Sequence, residues 1–235
     1  MIHVGTSGYN YPEWKGRFYP SDLPAAKMLP YYASRFATVE INYTFYRMPT
    51  ETLVAGWAAH VPECFTFALK APRRITHDRR LKDCGDAVEA FCRVAGTLGS
   101  RLGPLLFQLP PNLKCQLEVF DAFLAVLPPR APAAFEFRHP SWLDEPVFQR
   151  LRDRNFALCV ADSEDRHTPV VATADFGYAR LRDEGYDPPA IARWAAALSA
   201  QPAWRETYVY FKHESEGKGP EFAREFLGAL GRDGA

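Results

Sequence analysis

The chain has 235 residues, 47% hydrophobic and 14% aromatic, with 28 lysines and arginines set against 28 aspartates and glutamates. Balanced charge argues neither for nor against a polyanionic partner, so any affinity for an anion must come from local clustering. No apolar run approaches the roughly 20 residues of a membrane helix, which excludes a bilayer-spanning helical protein and a membrane partner.

The N-terminus, Met1-Ile2-His3-Val4-Gly5, enters a strand directly and lacks the layout of a signal peptide. Eight strand-like runs follow one another: Ile2–Ser7, Thr38–Asn42, Phe65–Lys70, Pro104–Leu109, Ala134–Arg138, Ala157–Asp162, Gly177–Arg182 and Thr207–Lys212. Helical patterns fill most of the gaps, at Ala25–Phe36, Thr50–His60, Cys84–Leu98, Leu117–Leu127, Asp144–Arg154, Pro188–Ala200 and Pro220–Leu230. Thr50 is placed to cap its helix, and Pro188 and Pro220 stand at helix starts, where proline is tolerated. The connection from Ser163 to Phe176 reads as an irregular loop with a short extra strand. Strand–helix alternation repeated about eight times predicts parallel βα units closed into an α/β (β/α)8 TIM barrel, one domain over residues 1–235. Gly5-Thr6-Ser7-Gly8 lacks the G-x-G-x-x-G turn of the open dinucleotide-binding fold, and no cofactor is expected. The five cysteines (Cys64, Cys84, Cys92, Cys115, Cys159) have no C-x-x-C spacing and read as reduced thiols in a cytoplasmic protein.

Period-two alternation gives nearly every strand one apolar face, suited to a ring of helices. The opposite face turns polar toward the strand's C-terminal end. There it carries Glu40, Lys70, Gln108, Glu136, Arg138, Asp162, Arg180, Arg182 and Lys212, where a barrel keeps its active site. Three acids against five bases leave excess positive charge at the mouth, which a ligand carboxylate or phosphate would balance. The competing reading is a closed ion-pair lattice with no ligand.

Glu40 and Glu136 read equally as acid/base carboxylates and as partners for Lys70 and Arg138. Lys70 reads first as a point-charge anchor and second as a nucleophilic amine. These three are the candidate catalytic groups. Arg138, Gln108, Arg180, Arg182, Asn42, His77, Tyr9, Trp14, Tyr46, Asp162 and Lys212 are the candidate substrate contacts, with Gln108 suited to orienting a ligand. His77, His139, Asp162, His167 and His213 lie near strand ends or loops, but no metal-binding spacing occurs and no metal is assigned. The run from Lys70 to Lys82 is densely basic and follows the third strand. Solvated loop is its default reading; a nucleic-acid contact, aided by mouth aromatics, is the alternative to a small anionic ligand. The reaction is left open among acid/base hydrolase, lyase and isomerase, and so is the oligomeric state.

Several long motifs carry a resemblance. Gly5-Thr6-Ser7-Gly8-Tyr9 with Trp14-Lys15-Gly16-Arg17-Phe18-Tyr19-Pro20 resembles the opening of the YecE-like family, known as domain of unknown function 72. Val39 to Arg47, Phe67 to Pro72 with Ile75-Thr76-His77, Leu106 to Pro111 and Glu136 to Trp142 are similar to later motifs of that family. The resemblance implies a TIM barrel and no established reaction. Where the family's last strand commonly runs into an asparagine pair, this chain has Lys212-His213-Glu214, so ligand contacts at that corner are not carried over.

Overall fold

In the structure, a computed structural model that describes residues 1–129 and 131–232, nine strands form. They are β1 (Ile2–Ser7), β2 (Thr38–Ile41), β3 (Thr66–Lys70), β4 (Leu102–Gln108), β5 (Ala133–Glu136), β6 (Ala157–Ser163), β7 (Arg166–His167), β8 (Phe176–Leu181) and β9 (Glu206–Phe211). β1 pairs with both β2 and β9, and β5 with β6, so eight parallel strands close in the order β1-β2-β3-β4-β5-β6-β8-β9. The short β7 turns back antiparallel on the end of β6, within the connection expected to hold an extra strand. Helices α1 (Met28–Ala33), α2 (Tyr43–Tyr46), α3 (Glu51–Ala59), α4 (Gly85–Gly96), α5 (Leu117–Val126), α6 (Glu145–Asp153), α7 (Pro188–Ser199) and α8 (Lys218–Ala229) follow the strands.

Local chemistry sets the helix starts. The Thr50 side chain accepts from the Leu53 amide at 3.2 Å, as its position before α3 predicted. Asp187 does the same for Ala190 at 2.7 Å, and Pro188 takes the first position of α7. Elsewhere the expected bounds shift. The helix expected over Ala25–Phe36 is a 3-10 turn at Ala25–Lys27 followed by the single short helix α1. The strand expected to reach Arg138 ends at Glu136, and Asn42 leaves β2 to precede α2, an element the sequence pattern did not show. Four residues are too few for a helical period to register.

Two cores separate across the strands. Outward residues such as Val39, Leu69, Phe107, Phe135, Val160 and Phe211 join the helices in one large apolar layer. Phe137, just past β5, stacks on Trp142 with ring centroids 4.9 Å apart and planes 3° from parallel. The barrel interior is smaller and lopsided. Ala68, Ala134, Ala157 and Cys159 line one wall, and Tyr178, Tyr208 and Tyr210 project from the other. Small residues on one wall leave room for the large ones on the other. The Tyr210 hydroxyl lies 2.8 Å from Thr38 Oγ1 on β2, one strand beyond its neighbour β1.

Candidate functional site

Above this floor, the C-terminal strand ends supply one connected set of polar groups. Arg180 of β8 is 1% exposed and lies between two buried carboxylates. Its guanidinium donates to Glu40 Oε1 at 2.9 Å and, through the other terminal nitrogen, to Glu136 Oε2. Glu40 also accepts from the Tyr178 hydroxyl and from Ser7, whose Oγ accepts from Asn42 Nδ2 at 2.8 Å. Glu136 accepts from Arg138 Nε at 3.0 Å and from Gln108 Nε2 at 2.8 Å. Gln108 turns its carbonyl oxygen to Lys70 Nζ, again at 2.8 Å. The Lys70 ammonium sits over the Phe45 ring, 4.0 Å from its centroid, and the His77 ring packs edge-on against the same phenyl group.

The electrostatics follow from this order. Burial pushes the Glu40 and Glu136 carboxyls up, but the Arg180 charge and the converging hydrogen bonds outweigh it, so both are held below the usual carboxylate range. Burial opposes the charge on Arg180 in turn, and the two carboxylates hold it protonated. Lys70 has no such compensation. Burial first, then Arg180, lowers its ammonium to about 7, against the pull of Glu136 and Glu40. Burial and the Lys70 and Arg138 charges lower His77 to about 4. Burial and Arg180 also lower Arg182 and Lys212 at the rim.

Most of the sequence-derived candidates meet here: Glu40, Lys70, Gln108, Glu136, Arg138 and Arg180 in one network, Asn42 at its edge, and His77, Arg182 and Lys212 around it. Arg138 pairs with Glu136 as expected, and the other partners differ. Arg180, not Lys70, is the partner of Glu40, and Lys70 bonds an amide instead of a carboxylate. Three candidates lie elsewhere. Asp162 was expected inside the barrel, but β6 sends Ala157, Cys159 and Ala161 inward. Asp162 faces outward, where it accepts from Trp194 Nε1 at 3.0 Å and from Tyr186 and meets His167. Trp14 is 1% exposed within an aromatic cluster with Tyr11, Phe18 and Tyr19, and its indole donates to the Glu214 carbonyl, so it is core and not a stacking platform. Tyr46 is 79% exposed on α2 and packs edge-on against Phe45.

Tyr9 lines a rim groove of about 390 Å³ with Tyr11, Asn42, Tyr43 and Trp57. Ser7, Tyr178 and Phe45 belong to the site and were not singled out as candidates. For the first two the signal was present, since alternation puts them on the inward face with Glu40 and Arg180. The basic run is built rather than loose. Arg74–Asp78 forms one π-helical turn, Arg80, Leu81 and Asp83 take left-handed φ, and Arg73 pairs with Asp78 at 3.0 Å. Among the described residues, no three His, Cys, Asp or Glu side chains are grouped to hold a metal ion, and no helix is long and apolar enough to cross a membrane.

A closed ring of eight parallel strands with helices outside and ionisable groups at the strands' C-terminal ends defines a TIM-barrel protein with its polar site in the usual place for that fold. The model of the family described as "Protein of unknown function DUF72" matches residues 3–235, and the chain belongs to that YecE-like family. It is 30% identical over 211 residues to UPF0759 protein YecE of Escherichia coli K12, covering 87% of this chain and 73% of that one. Identity to UPF0759 protein YunF of Bacillus subtilis is 29% over 159 residues, 64% of this chain and 55% of that one. Among solved structures, a DUF72 family protein of Thermotoga maritima superposes with a TM-score of 0.83 at 27% identity, covering 98% of this chain and 99% of its own. One from Enterococcus faecalis, at 21% identity, reaches 0.82 over 100% of this chain and 97% of that chain and shows the same fold.

Proposed function

We propose that this protein is a barrel enzyme that binds a small molecule bearing a carboxylate or phosphate at the C-terminal mouth. The observation that carries this reading is a set of buried and half-buried cations without matching carboxylates. Glu40 and Glu136 are both engaged by Arg180, and Glu136 also by Arg138. With Asp162 outside, two acids remain against five bases, a larger imbalance than the sequence implied. Among the described residues no carboxylate reaches Lys70 or Arg182, the buried Nε of Arg182 has no hydrogen-bond partner, and Lys212 has only Glu214 at 3.7 Å. An anion among these groups would satisfy donors and relieve mutual repulsion, and in a partly desolvated mouth that attraction is stronger than in water. A sugar derivative is one such ligand, since the rim tyrosines offer flat faces for a ring. Glu40 and Glu136 act here as the fixed frame that holds Arg180, and Lys70 is the group whose protonation changes near neutrality. The five unpaired thiols suit a reducing compartment such as the cytoplasm.

The test is thermal unfolding in inorganic phosphate against sodium chloride at matched ionic strength. Phosphate at 100 times its Kd should add about 2.7 kcal/mol of stability, and Arg182→Ala should remove most of that gain. Equal shifts in the two salts would end this reading. Tight binding of mixed oligonucleotides with a steep salt slope would replace it with a nucleic-acid contact.

A further inference from the structure

The arrangement around Lys70 goes further than anion binding and rests on that reading. Gln108 stands between Lys70 and Glu136, with its amide nitrogen on the carboxylate and its oxygen on the amine. It holds the amine at a fixed point while keeping the nearest carboxylate from pairing with it. The Phe45 ring covers a second side of Nζ without supplying a counter-charge. Arg180 and Arg138 add positive charge nearby. Lys70 is 9% exposed, so the amine is largely shielded from water. Insulation from acids and crowding by cations are the conditions that leave a lysine amine unprotonated and nucleophilic.

We propose that Lys70 forms a Schiff base with an aldehyde or ketone carbonyl carried by the anionic ligand. The Nζ lone pair adds to the carbonyl carbon, and the C=O π pair moves to the oxygen, which takes a proton. The nitrogen then loses a proton to give the neutral carbinolamine. A second proton on that oxygen lets it leave as water while the nitrogen lone pair closes the C=N bond. In sum, amine, carbonyl and one proton give the iminium ion and water. His77, packed on the same Phe45 ring and uncharged at neutral pH, is placed to relay the protons, with Nδ1 held at 2.9 Å by Thr76 Oγ1. The iminium keeps one positive charge beside the ligand anion. It also acts as an electron sink for cleavage or proton loss next to the former carbonyl, which narrows the reaction to lyase or isomerase chemistry.

The probe is glyoxylate, an aldehyde with one carboxylate, used with sodium cyanoborohydride at neutral pH and read by peptide mapping. Glycolaldehyde, similar in size but uncharged, is the control, and exposed Lys114 is the internal standard. Lys70 should be carboxymethylated at least about tenfold faster than Lys114, because an amine that titrates near neutrality is far more often unprotonated than an ordinary lysine. The preference should shrink with glycolaldehyde, in Arg138→Ala and in added phosphate. Labelling of Lys70 no faster than Lys114 overturns the proposal; if phosphate still stabilises the protein, the anion site stands without the covalent step. Fast labelling by both aldehydes with no protection by phosphate overturns the anionic substrate class and the reading beneath it.

Discussion

Arg180 is the residue on which the site's charge balance turns. It neutralises two carboxylates that are 0% and 1% exposed. Breaking a buried ion pair from one side costs about 3–5 kcal/mol, because the remaining charge has no solvent. Arg180→Met should therefore lose stability of that order in urea unfolding at neutral pH. The same groups set the acid limb of the stability profile. Both carboxyls sit below their ordinary range in the native state, so the unfolded chain binds more protons as pH falls. Their contribution is complete above the ordinary carboxylate pKa of about 4.3 and is lost as pH drops below it. In Arg180→Met that acid-side loss should shrink, since only Arg138 and the remaining hydrogen bonds then favour the ionised carboxyls. A variant with wild-type stability and the wild-type acid limb would show that the bridge contributes nothing.

Among the elements, the junction of β1, β2 and α1 places Ser7 and Glu40 side by side. It depends on a close approach at Gly5. A Cβ there would lie 2.1 Å from the Thr38 carbonyl oxygen and 2.9 Å from the Tyr32 hydroxyl, which itself accepts from the Thr6 amide at 2.7 Å. The backbone cannot yield without unpairing Gly5 from Thr38. Gly56, inside α3, has nothing within 4 Å of its would-be Cβ. Opposite outcomes are expected in paired denaturation curves. Gly5→Ala should cost about 3 kcal/mol or prevent folding, and Gly56→Ala should stabilise by roughly 0.5–1 kcal/mol through helix propensity. A mild Gly5→Ala would mean that β1 and β2 can separate without harm. The short helix α2 shows the opposite case, an element no pattern announced. It carries Phe45 over Lys70, and Thr44 Oγ1 in the same turn donates to the Lys70 carbonyl.

At the scale of the whole molecule, closure is uneven. β8 and β9 pair continuously from Phe176–Glu206 to Leu181–Phe211. β5 and β6 meet only at Ala134–Ala157 and Phe135–Leu158. Backbone amides at this seam should open first, so hydrogen exchange ought to be faster in β5 and β6 than in β8 and β9. Uniform protection around the ring would contradict this. Much of the barrel was legible in the sequence because its rule is local. Side chains alternate along each strand, so Phe107 and Gln108, or Phe135 and Glu136, declare opposite faces without reference to any neighbour. Alternation also brought most of the mouth residues to one end. It failed at Asp162, where the inward face of β6 is Ala157, Cys159 and Ala161, residues too small and apolar to look like a lining until the tyrosines opposite are in view. It failed at Trp14 because an aromatic in a loop reads the same whether it is buried or free. By itself, then, the sequence determined the number of strands, their outward faces and the cationic character of the rim, all set by periodicity and residue type. Only the tertiary structure decided that Arg180 bridges Glu40 and Glu136 and leaves Lys70 with an amide, because pairing of charges from β2, β3, β4, β5 and β8 depends on distances across a closed ring that no local pattern encodes.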